Sequence, residues 1–360
     1  MSVQRAGRLL DIGVLPAVNN MAINRALLSS RAAGQSLDTL RFLQFKPCVL
    51  VGYHQSVEQE IHRQYCSEND IDIQRRVTGG GAIYFDPLQL GWELYCHLDC
   101  FNSHDLAGIT RQICEAAAKG LQQLGVEARF RPRNDIEVNG RKISGTGGTI
   151  DGEAVLYQGT LIIDMDVERM TRALRIPAEK INDKALASAR DRVTTLQREL
   201  GVLPTLQQIK TSLQKNLEQS LNISFDQQDD LSDAEQQSVN RLIDEYATDE
   251  WIYQIQHSPK DTPSCEARYK CKGGLLHVQM RVDRRLRRIK QCWIDGDFFV
   301  RPARLIKDLE NHLRDCPYVK LESAVTEFFQ HHDADMVSLL PADFVHLLQK
   351  GLDPLQETPA

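Results

Sequence analysis

The sequence predicts an α+β protein, with a mixed β-sheet domain over residues 1–230 and a smaller α+β domain over 231–360. Three observations predict it. Strand-like and helix-like segments alternate through the first two thirds of the chain. Asn139-Gly140 between alternating residues marks a tight antiparallel hairpin, because both central positions of a type I′ turn need φ > 0. After a polar, acidic stretch at 226–230, Ser232-Asp233-Ala234-Glu235 has the pattern of a capping box, and strand alternation then resumes.

Taken in order, residues 17–30 read as a helix and 47–52 as a strand, and Ile71 and Ile73 alternate with Asp72 and Gln74 in a second strand. An amphipathic helix over 109–124 is closed by Gly125. Strands follow near 126–130, 136–138, 141–144, 155–158 and 160–164. Leu206, Ile209, Leu213 and Leu217 form one helical stripe, and Val239, Leu242, Ile243 and Tyr246 form another behind the capping box. In the smaller domain Leu276, Val278, Met280 and Val282 make a strand, Asp283-Arg284-Arg285 a turn, and 286–294 the return. Leu305, Ile306, Leu309 and Leu313, and then Phe344, Leu347 and Leu348, mark terminal helices.

Composition narrows the function class. A chain of 360 residues with 42% hydrophobic residues is long enough to bury two cores. No apolar run approaches the ~18 to 20 residues that span a membrane, and Leu9-Leu10 is cut off by Asp11 before an apolar leader forms. Nine cysteines make an odd count without a disulfide framework, so the cytoplasm is the expected compartment. Cys96 and Cys100 lack zinc-site spacing and read as structural, as do Cys265 and Cys271. A net charge of -6 leaves no general basic footprint, so neither nucleic acid nor a membrane is an expected partner.

Two segments carry the chemistry. Arg75-Arg76-Val77-Thr78-Gly79-Gly80-Gly81-Ala82-Ile83-Tyr84-Phe85-Asp86 joins two arginines to three glycines. Such a run either cradles an anion with converging N–H groups or is a hairpin turn beside two solvated arginines. The second segment is Arg133-Asn134-Asp135 leading through Asn139-Gly140 to Lys142. Read alone, Lys142 is a surface lysine and Asn134-Asp135 an Asx turn. Read with a glycine-rich loop, they become candidates for holding a phosphate or a carboxylate.

The order and spacing of these two segments, followed by Gly159-Thr160-Leu161, resemble the lipoate-protein ligases of the biotin and lipoate ligase superfamily. The likeness extends through Asn20-Met21-Ala22-Ile23-Asn24, Val51-Gly52-Tyr53-His54-Gln55, Ser188, Arg192-Val193-Thr194-Thr195-Leu196 and Gly296-Asp297-Phe298-Phe299. The resemblance implies a catalytic domain of the biotin/lipoate ligase type with a smaller accessory domain. It also implies ATP with Mg2+ as cofactors, formation of lipoyl-AMP, and transfer of the lipoyl group to a carrier-protein lysine. Arg76, Gly81, Ala82, Ile83, Tyr84, Asn134, Asp135 and Lys142 would meet the nucleotide, and Asp135 would help with magnesium. Arg75, Gly79, Gly80 and Lys142 would meet lipoate, with Lys142 bridging the phosphate and the reacting acyl oxygen. Val51, Tyr53, Ile83 and Leu161 would line the acyl slot or serve as strand core. The implied partner is a lipoyl carrier: an acidic lipoyl domain, a glycine-cleavage H-like protein or a dedicated lipoate-binding protein.

Phe85, Gln89 and Gln158 depart from the His, Asn and His that many relatives carry, and Ser144-Gly145-Thr146-Gly147-Gly148 departs from the usual run after the lysine. An ATP-independent octanoyl or lipoyl transferase is the alternative enzyme; one large group of these uses a cysteine shortly before the Asn-Asp element, where this chain reads Ala128-Arg129-Phe130-Arg131-Pro132-Arg133. A lipoate-binding protein without activity is the other alternative. Arg281, Arg284, Arg285, Arg287, Arg288 and Lys290 form a basic hairpin that either steers an acidic carrier or is a solvated face.

Overall fold

A computed structural model describes residues 4–132, 134–175, 192–228, 230–255 and 265–356. Ser188 and Arg133 of the sequence motifs lie outside the described residues. The chain divides into two compact units, one of residues 1–50, 60–77 and 83–252, the other of 51–59, 78–82 and 253–360.

The strands in chain order are β1 Arg5–Leu15, β2 Asp38–Phe45, β3 Cys48–Val51, β4 Asp72–Arg75, β5 Ile83–Phe85, β6 Gln89–His97, β7 Arg129–Arg131, β8 Asp135–Val138, β9 Arg141–Asp151, β10 Ala154–Ile162 and β11 Ile223–Gln228. In the first unit eight of them form a mixed sheet ordered β11-β1-β2-β6-β10-β9-β8-β7, in which β1 runs parallel to β11 and β2 while the other pairs are antiparallel. A second sheet orders β4-β3-β5. The α+β class expected from the sequence is the one found. Strands β1, β2 and most of β6 were not read from the sequence, although Leu40 and Phe42 of β2 flank Arg41, and Leu90, Trp92 and Leu94 of β6 alternate with Gly91 and Glu93; β2 and β6 are almost wholly buried, their polar residues included.

One face of the large sheet packs Leu40, Trp92, Tyr157 and Leu161 against Ile109, Ile113 and Leu121 of helix Leu106–Gln123 and Leu213 and Leu217 of helix Leu206–Leu221. Leu10, Tyr95 and Leu156 point the other way, toward Ile23 and Leu27 of helix Ala17–Ala32 and Val239 of helix Asp233–Tyr246. Gly159 on β10 lets the Trp92 indole cross it; a Cβ there would lie 2.2 Å from the ring.

Helix Asp233–Tyr246 begins with the expected Ser232–Glu235 capping box. It belongs to the first unit, so the 230/231 boundary expected from sequence falls inside that unit and the division comes after Ile252. The cause is physical. The apolar stripe of the helix covers helix Ala17–Ala32, and Glu235 accepts from Arg8 of β1, at 2.9 Å through Nη1 and again through Nη2. Burial raises the Glu235 carboxyl, but the hydrogen bonds from Arg8 and Ser232 outweigh it and hold the group below its usual range.

Between the sheet and helix Ala17–Ala32 lies a buried polar cluster. The Arg41 Nη1 meets Glu93 Oε2 at 3.0 Å, and both side chains are within a few per cent of complete burial. Asn24 donates to Glu93 Oε1 at 2.9 Å, Tyr95 donates to Glu93 Oε2, and Arg41 Nη2 donates to Asn20. Burial first, and then the Glu93 charge, push the Tyr95 phenol well above its ordinary value.

The second unit is built on β12 Cys265–Cys271, β13 Gly274–Asp283, β14 Arg288–Asp297, β15 Val300–Arg301, β16 Cys316–Pro317 and β17 Asp335–Met336. Its main sheet orders β12-β13-β14-β16. Leu276, Val278 and Met280 pack on Leu305 and Leu309 of helix Leu305–His312 and on Phe344, Leu347 and Leu348 of helix Pro341–Gln356. Segments 51–59 and 78–82 join this unit through backbone contacts. Gly80 N–H donates to the Phe298 carbonyl at 3.1 Å, Gly296 N–H to the His54 carbonyl at 3.2 Å, and Tyr53 N–H to the Thr78 carbonyl at 2.9 Å. The His54 and Phe298 rings stack with centroids 5.0 Å apart. No helix among the described residues is long and apolar enough to cross a membrane, and all nine cysteines are free.

Two predictions follow from this packing. Glu93→Ala leaves Arg41 buried beside no carboxylate and costs about 3–5 kcal/mol in denaturant unfolding, whereas the double variant Arg41→Met, Glu93→Leu loses less because no charge is stranded. A Cβ on Gly52 would sit 1.9 Å from the Gly80 carbonyl oxygen, while one on Gly81 meets only the Asp297 carboxylate at 3.4 Å or beyond. Gly52→Ala therefore costs about 1–3 kcal/mol, as overpacking does, and Gly81→Ala stays within about 0.5 kcal/mol; thermal unfolding of the pair distinguishes them.

Candidate active site

The β8–β9 hairpin carries the lysine. Asn139 and Gly140 both take positive φ, 50° and 78°, as a type I′ turn requires. A register shift between Ile136 and Glu137 then sets Glu137 opposite Lys142 and Asp135 opposite Gly145. Lys142 Nζ lies 2.8 Å from Asp135 Oδ1, with the lysine side chain 36% exposed and the aspartate 18%. Gly145 makes room for it, since a Cβ at that position would be 2.6 Å from Nζ. The result is a half-exposed ammonium, held by one carboxylate and open to an incoming anion.

The residues around this pair fix its frame. Asn134 does not offer its amide to solvent: Nδ2 donates to the Thr146 carbonyl at 2.6 Å, and the Thr146 N–H and hydroxyl both donate to the Asn134 carbonyl at 2.9 Å. Arg131 reaches Asp135 Oδ2 at 3.3 Å. On the other side Thr194 N–H donates to the Lys142 carbonyl at 2.8 Å, and Val193 bridges Lys142. The Arg192-Val193-Thr194-Thr195-Leu196 motif is thus brought to the hairpin, where Glu199 accepts from Arg141 at 2.9 Å and from Thr194. Arg131 and Glu199 were not singled out from the sequence. For Arg131 the signal is the charge pairing of β7 with Asp135 and Glu137, which is readable once the register is known.

Arg75 and Arg76 are not solvated. Arg75 is fully buried and donates from Nε and Nη2 to the Ile252 carbonyl at 3.0 and 2.8 Å. Arg76 is 5% exposed and donates to the Leu50 carbonyl at 2.8 Å. Ile83 packs with Phe45, Leu50 and Phe85, and Tyr84 pairs with Val49 across β5 and β3. Burial, aided by Asp86, raises the Tyr84 phenol.

In the second unit the glycine run meets backbone directly. A Cβ on Gly79 would lie 2.3 Å from the Phe298 carbonyl oxygen, and Gly80 adopts φ 98°. Close approach therefore requires glycine at Gly79, and the positive φ favours it at Gly80. Of the acyl-lining candidates, Leu161 and Ile83 sit in different core clusters, and Val51 and Tyr53 belong to the second unit.

The positions that depart from the family pattern are integrated in the packing. Phe85 lies 4.4 Å from the Phe45 ring, Gln89 accepts from Asp86 N–H at 2.7 Å and donates to the Asp164 carbonyl at 3.1 Å, and Gln158 accepts from Asn24 at 3.3 Å. As for magnesium, both oxygens of Asp135 already face cations, and no group of three or more His, Cys, Asp or Glu with metal-binding geometry occurs among the described residues. The donor set present does not by itself make a metal site.

Comparison with known proteins bears on the family and the fold. Residues 16–218 match the model of the lipoyl protein ligase A/B catalytic domain. Lipoate-protein ligase 1 of Staphylococcus aureus is 29% identical over 316 residues, covering 87% of this chain and 91% of that one. Octanoyltransferase LipM of Clostridioides difficile is 26% identical over 253 residues, covering 64% and 93%. Among solved structures, a bipartite lipoate protein ligase from Thermoplasma acidophilum superposes with a TM-score of 0.64 at 27% identity, over 71% of this chain and 98% of that one. A lipoate-protein ligase A bound with ATP gives 0.61 at 25% identity, over 70% and 100%. With its fold, its lysine hairpin and a family match over more than half its length, the chain belongs to the lipoyl protein ligase A/B catalytic-domain family.

Proposed function

We propose that the protein is an ATP-dependent lipoate-protein ligase. Lipoate carboxylate attacks the α-phosphorus of ATP and displaces pyrophosphate to form lipoyl-AMP. The ε-amine of a carrier lysine then attacks the acyl carbon of this mixed anhydride, forming the amide and expelling AMP. The observation that carries the reading is the Lys142–Asp135 pair on the hairpin, where a half-exposed ammonium is held 2.8 Å from one carboxylate. Approach of phosphate and carboxylate oxygens would draw Nζ from Asp135 to the charge that develops on them, and a preorganised donor of this kind lowers the barrier in both steps. Asn134, through its double tie to Thr146, positions the strand that carries Asp135. Arg76 and Tyr84 are proposed to border the nucleotide. The extent of the S. aureus relative, 91% of which is covered, supports counting the second compact unit as an accessory domain of the same enzyme.

The likeness to LipM favours an octanoyl or lipoyl transferase as the second reading. Such a transferase of the cysteine type needs a reactive thiol. Cys114, which touches Thr146 at 3.3 Å, is buried, and burial pushes its thiol up to about 11. It is poorly suited to that role.

Lipoate-dependent exchange of pyrophosphate into ATP tests the proposal. Wild-type protein is expected to exchange label only with lipoate present, and Lys142→Ala to fall by about 10²–10³-fold. Undiminished exchange by the variant removes Lys142 from the reaction. Absent exchange by folded wild type, together with octanoyl transfer from an acyl thioester, establishes the second reading.

A further inference from the structure

The β13–β14 hairpin of the second unit is a basic edge on an acidic protein. Six cations, Arg281, Arg284, Arg285, Arg287, Arg288 and Lys290, occupy ten residues of a chain whose net charge is -6. All six are exposed. The one carboxylate within the hairpin turn, Asp283, accepts from the Leu286 N–H at 2.9 Å and so shapes the turn. Asp315 pairs with Lys290, and the bond from Lys290 holds the Asp315 carboxyl below its usual range. Arg284, Arg285 and Arg287 have no carboxylate partner among the described residues.

The edge is built rather than loose. Arg287 takes φ 49° and places its guanidinium over the Tyr318 ring at 5.8 Å, while Tyr318 N–H donates to the Arg287 carbonyl at 3.0 Å. Arg288 and Ile289 pair with Pro317 and Cys316 at the base of the hairpin. The same edge exposes two large aliphatic side chains, Leu286 at 60% and Val319 at 86%. Clustered like charges beside exposed aliphatic groups are unfavourable for the free protein, and both become favourable against an acidic surface with an apolar centre.

Resting on the ligase reading above, we propose that this hairpin is the docking surface for the protein that accepts the acyl group, recognised through an acidic face of its carrier domain. The three unneutralised arginines steer the encounter and Leu286 and Val319 seat it. Aliphatic tips fit a protein partner better than a single-stranded nucleic acid, which would use exposed aromatic rings for stacking, and Tyr318, the ring described at this edge, is half-buried beneath Arg287.

The test uses the full-length protein and an isolated apo-lipoyl domain of net negative charge that carries the acceptor lysine. Direct binding of the labelled domain and its KM as acyl acceptor are measured for wild type, Arg284→Glu/Arg285→Glu and Arg284→Lys/Arg285→Lys. Charge reversal is expected to raise both Kd and KM roughly tenfold at about 50 mM salt, and the gap to close to about twofold near 0.5 M as screening shortens the interaction range. Pyrophosphate exchange and kcat stay unchanged, and the lysine pair retains wild-type affinity. Unchanged binding and KM in the reversed variant at low salt overturn the proposal. So does tighter wild-type binding to mixed-sequence duplex DNA, or to phosphatidylcholine vesicles containing phosphatidylserine, than to the domain. Because binding is read without turnover, a wild type that forms no adenylate removes the ligase reading while the docking surface is still decided.

Discussion

The first compact unit is organised around a charge pair buried from solvent. Arg41 on β2 and Glu93 on β6 face the helix Ala17–Ala32, not solvent, and each desolvated charge is tolerable only because the other is 3.0 Å away. Asn20, Asn24 and Tyr95 complete the shell with further hydrogen bonds. Such a cluster is directional where the surrounding leucines are not. It specifies how the helix lies along β2 and β6, and Gln158 extends the contact to β10 through Asn24. Strand β10 in turn pairs with β9, which carries Lys142. The position of the lysine hairpin is thus inherited from a network on the other side of the sheet's centre.

A second constraint acts through glycine. The glycine run and the Gly296-Asp297-Phe298-Phe299 segment meet main chain to main chain, at distances a Cβ would forbid. At Lys142 the same device works against a side chain, with Gly145 leaving the space the lysine stem occupies. Glycine here buys proximity rather than flexibility. This changes the meaning of the motif: part of its glycine content is explained by packing alone, before any ligand is considered.

What was legible in the chain was local. The Asn139-Gly140 turn, the Ser232 capping box and the amphipathic helices announce themselves because their signals sit within a few residues of their effects. The family pattern was legible for the same reason, as short runs at fixed spacing. The pairing of the central strands was not, since it joins β2 to β1 and to β6, segments distant in the chain. Nor did the helix Asp233–Tyr246 reveal which unit it joins. Its apolar stripe does not name the surface it covers, and the groups it meets, helix Ala17–Ala32 and Arg8, lie more than two hundred residues away in the chain.

By itself the sequence determined the class of the fold, the hairpin that presents Lys142 and the family to which the chain belongs, because turn geometry, helix caps and motif spacing act over short range. Only the tertiary structure decided that Arg75 and Arg76 donate to the carbonyls of Ile252 and Leu50, that Asn134 is tied to Thr146, and that Phe85, Gln89 and Gln158 are packed. Those outcomes follow from the partner each side chain meets once distant segments are brought together, and a guanidinium or an amide carries no mark in the sequence of which carbonyl it will satisfy.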